Sequence, residues 1–160
     1  MSAQGCPCGH LGDASRACRC TSEQVSRYRA RISGPLLDRI DLHVEVPRPK
    51  NPVAQGPESV TSVAIASRVE AARAMQIERT GVSNAWLKPK AIEAVCRLNP
   101  AEGDLLNAAM RRFGLSERGR HRVLKVARTI ADLAAEPEIN SAHLSEAVGF
   151  RVLDRDSEDF

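Results

Sequence analysis

Aromatic residues are scarce in this chain of 160 residues, which contains three Phe, one Tyr and one Trp. Because hydrophobic residues still make up 42% of the sequence, we expect a core of aliphatic side chains, typical of packed helices. No apolar run approaches the roughly 20 residues that span a bilayer, and the N-terminus lacks the basic-then-apolar order of a signal peptide. We therefore expect a cytoplasmic protein without a membrane partner.

The chain also has a small net charge and lacks recognisable catalytic motifs. The net charge of +3 permits contact with phosphate but does not by itself argue for it. The sequence has no G-x-x-x-x-G-K-[ST] loop to bind phosphates and no apolar strand ending in paired acidic residues to hold magnesium. No Ser/His/Asp or Cys/His set has the spacing of a catalytic triad or dyad, which argues against a hydrolase. The chain alone is therefore predicted not to hydrolyse ATP.

Five cysteines are an odd number for a disulfide framework, and four of them lie in the first 20 residues. In a reducing compartment clustered cysteines more often bind metal. The spacing C-x-C-x9-C-x-C allows a tetrahedral structural zinc site, although it is less specific than C-x2-C pairs, and the alternative is reduced thiols in a mobile loop. The candidate ligands are Cys6, Cys8, Cys18 and Cys20, with His10 as a further one. The fifth cysteine, Cys96, is interpreted as a small core residue.

A short helix rich in arginine is predicted after the cysteines, because Thr21 and Gln24 form a capping-box signature. Its arginines are interpreted as a solvated face, or as a contact with phosphate or a neighbouring subunit: Arg27, Arg29 and Arg31. Ser33-Gly34-Pro35 ends the helix. Apolar and polar residues then alternate from Ile40 to Val46, which predicts a strand with one buried face. The chain offers almost no other strand, so we expect its sheet partners to lie outside this sequence.

The rest of the chain is predicted to be a linker followed by helices. Residues 47–59 contain four prolines and are interpreted as a linker, residues 60–153 as a helical domain and residues 154–160 as a tail. The helices are expected to stop at Gly81, to begin near Pro89, to be capped by Asn99 and Ser116, and to end with one in NSAHLSEAVGFRVL. The first helix of this domain places Val63, Ala66, Val69 (or Glu70), Arg73 and Ile77 on helical spacing. The helix after Ser116 is predicted to have one apolar stripe, formed by Val123, Val126, Ala127, Ile130, Leu133 and Ala134.

Several long stretches resemble the C-terminal third of the magnesium-chelatase-like AAA+ ATPases, the group that includes ComM-type and YifB-type proteins. They are CPCGHLGD, CRCTSEQVSRYRARISGPLLDRIDLHVEVPRP, LSERGRHRVLKVARTIADLA and HLSEAVGFRVLDR. The resemblance covers nearly the whole chain. It implies a mostly α fold, in which residues 1–46 end an AAA+ α/β core and residues 60–153 form an all-helical lid domain. It also implies a hexameric ring that uses ATP and Mg²⁺, with ComM-like members acting as helicases that drive branch migration of DNA in recombination and competence.

The same resemblance assigns two arginines. Arg39, in LLDRIDL, matches the arginine finger that one subunit offers to the ATP of its neighbour. The alternative for Arg39 is a salt bridge with Asp38 or Asp41. Arg118, in LSERGRHR, matches the sensor-2 arginine, which starts a lid helix and reaches the phosphates bound by its own subunit. From the sequence alone it is one of several solvated cations, along with Arg120, Arg122, Lys125 and Arg128.

The chain departs from this family pattern at its start. Gln4-Gly5 stands where the family has Asn-Pro, so the sensor-1 asparagine is replaced by Gln4 or lost. With no phosphate-binding loop, the start at Met1 suggests a truncated member that an intact partner could accept into a ring, where Arg39 would serve a neighbour's nucleotide. Two other interpretations remain open: a stand-alone zinc-stabilised DNA-binding or interaction module, and the ATPase subunit of a metal-insertion chelatase.

Overall fold

The structure is a computed structural model that describes residues 5–13, 15–31, 36, 39–44, 46 and 60–151. It divides into two compact units. The first contains Met1–Ile40 and Val44–Ser59, and the second contains Asp41–His43 and Val60–Phe160. Gln4, predicted to stand at the sensor-1 position, the predicted linker at 47–59 and the predicted tail at 154–160 lie outside the described residues. None of the helices in the described ranges is long and apolar enough to cross a membrane.

Helix α1, Ser22–Arg29, follows the cysteine segment in the first unit. The predicted capping box is confirmed: Thr21 Oγ1 accepts a hydrogen bond from the Gln24 backbone N–H at 3.2 Å, and Gln24 Oε1 accepts one from the Thr21 N–H at 3.0 Å. No residue of α1 is buried, and Arg27 pairs with Glu23 at the surface. The helix is therefore specified by its cap and not by packing of an apolar face.

The strand predicted over 40–46 is not found in the described part of that segment. Burial runs opposite to the prediction: His43 is 7% exposed, whereas Leu42, Val44 and Val46 are 47%, 64% and 85% exposed. A strand needs a hydrogen-bonded neighbour at its edge and another layer packed on its apolar face, and the described residues provide no neighbouring strand. Instead the His43 backbone N–H donates to the Phe150 carbonyl at 2.8 Å, which joins this short segment to the second unit.

The second unit is a bundle of α-helices with one short 3₁₀ helix. Its elements are α2 (Ser62–Thr80), the 3₁₀ helix (Asn84–Trp86), α3 (Pro89–Val95), α4 (Pro100–Arg112), α5 (Glu117–Leu133) and α6 (Ser141–Gly149). The predicted ends are confirmed: Gly81 closes α2 with a left-handed φ of 75°, Pro89 lies in the first turn of α3, and Asn99 caps α4 in a capping box with Glu102. Ser116 is the N-cap of α5, and its side chain accepts a hydrogen bond from the Gly119 backbone N–H.

Helix α5 is the centre of this bundle and packs on α2, the 3₁₀ helix, α3 and α6. The core is aliphatic, as expected, and consists of Leu87, Ile92, Cys96, Leu106, Val123, Leu124, Ala127, Ile139, Leu144 and Ala147. Cys96 is 5% exposed, so its interpretation as a core residue is confirmed. The prediction for Ala134 is wrong, because α5 ends at Leu133 and Ala134 is an exposed C-cap. The buried stripe includes Arg128 and Asp132 instead.

The helical spacing predicted from Val63 to Ile77 is confirmed by α2, but these apolar residues do not form its buried face. Val63 is 76% exposed, Val69 is 50% exposed and Ile77 is 44% exposed, whereas the buried residues of this helix are Ala72 and Gln76. Every residue from 60 to 71 is exposed, so the burial of α2 begins only at Ala72. The helix packs through its C-terminal half, on a face that periodicity alone does not identify. Beyond it, Trp86 of the 3₁₀ helix is 79% exposed.

Candidate functional site

Four cysteine thiols converge in the first unit. Cys6 Sγ lies 3.4 Å from Cys8 Sγ and 3.7 Å from Cys18 Sγ, and the Cys8 and Cys18 sulfurs are 3.6 Å apart. With Cys20 Sγ, all four sulfurs lie within 4.8 Å of one another, and all are free thiols. Thiolates at this separation can bind one metal ion together. His10 is not a member of this group, since its Nδ1 lies 3.6 Å from Asp13 Oδ2 instead.

A tight turn brings the first two sulfurs together. Gly9 has a φ of 76°, which favours glycine, and its N–H donates to the Cys6 carbonyl at 3.1 Å. This turn directs backbone N–H groups at the sulfurs. The backbone N–H groups of His10 and Arg19 both donate to Cys8 and lower the pKa of its thiol to about 6, and the contribution of His10 is the larger. The C-x-C spacing is thus compatible with the turn and N–H donors that a thiolate site requires.

The cysteine loop, residues 6–20, is continuous with α1. Cys20 directly precedes the N-cap Thr21, and the Arg29 Nε–H donates to the Gly5 carbonyl at 3.4 Å, from the last turn of the helix to the start of the loop. Cys8, Cys20 and Tyr28 line one groove of about 480 Å³. Among the residues of the first unit that the structure describes, Cys6 alone is buried. This part of the chain therefore has a cluster of thiols where an apolar core would otherwise be.

Arg39, the predicted arginine finger, lies in an exposed turn. Its backbone N–H donates to the Leu36 carbonyl at 3.0 Å. Of the two carboxylates considered for a salt bridge with it, Asp41 accepts a hydrogen bond from Arg122, and Asp38 lies outside the described residues. Arg39 thus precedes a segment that has no strand among its described residues, whereas the sequence predicts a strand from Ile40 onward.

Arg118 is the second residue of α5 and is exposed. The other cations of α5 have partners within the second unit: Arg120 with Glu93 at 2.5 Å, Arg122 with Asp41, Lys125 with the Ala85 carbonyl at 2.9 Å, and Arg128 with Asp132 at 3.0 Å. No hydrogen bond or ion pair of the Arg118 side chain occurs with any residue in the described ranges. Its guanidinium is therefore available to a ligand from outside the unit.

A buried polar network fixes the helix that carries Arg118, and sequence reasoning missed it. Arg128, interpreted as solvated, is 2% exposed and donates to Asp132 and to the carbonyls of Glu136 and Pro137. Asp132 also accepts from Asn84 at 2.8 Å. The available signal was an oppositely charged pair four residues apart on the same face as Leu124 and Ala131.

The pKa of Asp132 reflects these contacts. Burial by itself raises the pKa of this carboxyl, but hydrogen bonds from Arg79 and Asn84 and the charge of Arg128 lower it by more. Its pKa therefore lies below the ordinary value of 3.8. Asp132 is ionised at neutral pH and balances the charges of the buried Arg128 and of Arg79, whose side chain is 27% exposed.

Two family patterns match the chain. The pattern described as magnesium chelatase, subunit ChlI C-terminal, matches residues 59–151, and that described as magnesium chelatase, subunit ChlI, matches residues 1–53. The second pattern includes the cysteine loop, α1 and Arg39. The first includes the whole set of helices α2 to α6 and therefore Arg118.

Curated relatives are similar along most of the chain. Competence protein ComM of Haemophilus influenzae is 42% identical over 151 residues, which are 93% of this chain and 29% of the relative. The protein YifB of Escherichia coli is 43% identical over 142 residues, or 86% of this chain and 28% of the relative. Rv2897c of Mycobacterium tuberculosis is 30% identical over 155 residues, or 94% of this chain and 30% of the relative. The chain thus spans less than a third of the length of each of these relatives.

Proposed function

The chain belongs to the magnesium chelatase ChlI family, and from this membership we propose that it acts as the C-terminal part of a magnesium-chelatase-like AAA+ ATPase. In such a hexameric ring Arg39 would act on the ATP of a neighbouring subunit and Arg118 on the ATP of its own. ATP and Mg²⁺ would be held mainly by other parts of a complete member. The 42% identity to a competence protein supports a ComM-like role in branch migration of DNA.

The observation that carries this proposal is the unpaired guanidinium of Arg118. Every other cation of α5 is engaged within its own unit, whereas no residue that the structure describes contacts this side chain through a hydrogen bond or ion pair. Arg118 lies in the first turn of a capped helix, where the helix dipole favours anions. A guanidinium stays charged and offers a planar set of donors suited to phosphate oxygens. A nucleotide phosphate is the partner that this arrangement fits.

Arg39 supports the same proposal on chemical grounds. Charge spreads over the γ-phosphate oxygens when the phosphoryl bond breaks, and an arginine supplied by a neighbouring subunit stabilises that charge. The exposed position of Arg39 suits a residue that acts on another subunit. This role requires the ring, since a finger in trans contributes only where two subunits meet.

The experiment compares Arg118→Ala with Arg120→Ala, each introduced at the matching position of a full-length relative. Both changes remove one guanidinium from the same helix, two residues apart, but Arg120 has Glu93 as a partner. We expect Arg118→Ala to weaken ATP binding about 10- to 100-fold, the usual cost of losing hydrogen bonds to a charged group. Arg120→Ala should leave binding nearly unchanged. Equal effects of the two substitutions on ATP binding would contradict the proposal.

A second function is favoured by the cysteine cluster and by the division into two units. A zinc-stabilised module that binds DNA or a protein without nucleotide needs no phosphate-binding loop, and the sequence has none. Its signature would be DNA binding by the 160-residue chain with a steep salt dependence and no response to ATP.

The family name also fits the ATPase subunit of a metal-insertion chelatase, which would bind ATP but show no activity stimulated by branched DNA.

A further inference from the structure

We propose that the cysteine cluster binds one Zn²⁺ ion in a closed site of four thiolates, and that this ion replaces the apolar core of the first unit. The ligands are Cys6, Cys8, Cys18 and Cys20. The site holds the cysteine loop and α1 together, so these residues fold only with the metal, whereas the helical bundle folds without it. The inference concerns the chain's own stability and does not rest on its proposed role in an ATPase.

The distances between the sulfurs identify a single ion. In a tetrahedral site with Zn–S bonds of about 2.3 Å, the sulfurs lie about 3.8 Å from one another. The separations of 3.4, 3.6 and 3.7 Å in the structure are close to that value. In an iron–sulfur cluster the thiolates bind different irons, and bridging sulfides hold the cysteine sulfurs farther apart. Four sulfurs within 4.8 Å of one another leave no room for such a cluster.

The ligand set fits zinc and a structural role. Four thiolates with tetrahedral geometry are typical of zinc, which has no geometric preference of its own from d-electrons. A catalytic zinc keeps one position for water, and four cysteines occupy every position. The backbone N–H groups of His10 and Arg19 point at Cys8 and provide the outer hydrogen bonds that such thiolates require.

The described residues of the first unit have little else to stabilise them. Helix α1 has eight residues and none is buried, whereas isolated helices shorter than about 12–15 residues are marginal in water. Cys6 is the sole buried residue in its described ranges. Small domains without an adequate core commonly depend on a metal, and binding of the metal then provides their folding free energy. Cys20 is adjacent to the N-cap Thr21, so coordination of Cys20 fixes the start of α1.

The first experiment measures the zinc content of the purified 160-residue chain and of three variants. We expect one zinc per chain in the parent protein and a loss of zinc in Cys6→Ser and in Cys18→Ser. The matched control is Cys96→Ala, because Cys96 lies in the core of the other unit, and it should keep its zinc. Iron with acid-labile sulfide in the parent chain, or full zinc content in Cys6→Ser, would overturn the proposal.

The second experiment measures backbone hydrogen exchange of the parent chain with and without a strong chelator. We expect chelation to remove the protection of α1, Ser22–Arg29, and to leave that of α5, Glu117–Leu133, unchanged. Unchanged exchange in α1 after complete removal of zinc would contradict the structural role of the metal. A failure of either experiment leaves the ATP-binding result for Arg118 unaffected, so this inference and the proposed function can fail separately.

Discussion

The carboxylate of Asp132 accepts two hydrogen bonds from the guanidinium of Arg79, each 2.8 Å long. This bidentate pair joins the last turn of α2 to the last turn of α5 and lies beside the 3₁₀ helix, whose Asn84 bonds to both partners. Two parallel hydrogen bonds between a guanidinium and a carboxylate make a stronger ion pair than a single one does. Because the side chain of Asp132 has no exposed surface, its charge depends entirely on these neighbours.

Replacement of this carboxylate should therefore destabilise the bundle. Asp132→Asn removes the negative charge and leaves Arg128 buried without its counter-charge, so we expect the free energy of unfolding to fall by about 3 kcal/mol. The matched control is Glu93→Gln, which removes the half-exposed partner of Arg120 and should cost less than about 1 kcal/mol. Chemical denaturation followed by circular dichroism measures both. Equal losses in the two variants would mean that the buried network contributes no more than a surface pair.

The same carboxyl should give the bundle an acid-sensitive stability. The pKa of Asp132 is lower in the folded chain than its ordinary value of 3.8, so the folded state binds this proton less readily than the unfolded state. Its contribution is fully present above that ordinary value and is lost as the pH falls through the lower, folded-state pKa. Thermal unfolding measured between neutral pH and strong acid should show this loss in the parent chain. Asp132→Asn should lack that component of the acid loss, and an identical pH profile in both proteins would contradict the assignment.

Two glycines should respond in opposite directions to alanine. Gly81 has a φ of 75° at the end of α2, so Gly81→Ala should cost about 1 kcal/mol because a side chain disfavours the left-handed conformation. Gly103 lies inside α4, and an added Cβ there would meet no atom within 4 Å. Gly103→Ala should therefore raise the free energy of unfolding by about 0.5–1 kcal/mol. Urea denaturation of both variants tests the pair, and a change of the same sign in each would refute it.

Arg39→Ala tests the finger when it is introduced at the matching position of a full-length relative. We expect ATP hydrolysis to fall about 10³-fold or more while ATP binding is retained, because the arginine stabilises only the transition state. Action of Arg39 in trans predicts a further result, for a mixture of two kinds of mutant subunit. Subunits with Arg39→Ala should regain activity when mixed with subunits that keep Arg39 but cannot bind ATP. An unchanged rate of hydrolysis would reduce Arg39 to a surface residue, and no recovery on mixing would argue against action in trans.

Local signals in the sequence were sufficient to predict the helices. The caps at Thr21, Asn99 and Ser116 and the stop at Gly81 depend on residues close together in the chain, so they could be located without knowledge of the fold. The convergence of the cysteine sulfurs was likewise allowed by their spacing, although the turn at Gly9 that produces it was not identified.

Features that depend on distant partners could not be predicted in this way. The alternation from Ile40 to Val46 is typical of a strand, but the sheet that would bury its apolar face is not supplied by the described chain, and His43 is buried instead. Arg128 was interpreted as a solvated cation, because its burial depends on a network that also includes Arg79, which lies 53 residues from Asp132 in the sequence. The unpaired state of Arg118 became evident only when the partners of its neighbours were known.

The scarcity of aromatic residues gives the two units separate optical reporters. The single tyrosine, Tyr28, lies in α1 and lines the groove of the cysteine loop, whereas the single tryptophan, Trp86, lies on the 3₁₀ helix of the bundle. Tryptophan absorbs at longer wavelengths than tyrosine, so light at the red edge excites Trp86 alone. The unmodified chain therefore carries one such chromophore in each unit, a tyrosine in the first and a tryptophan in the second, and their spectra can follow the two units through one titration without any attached dye.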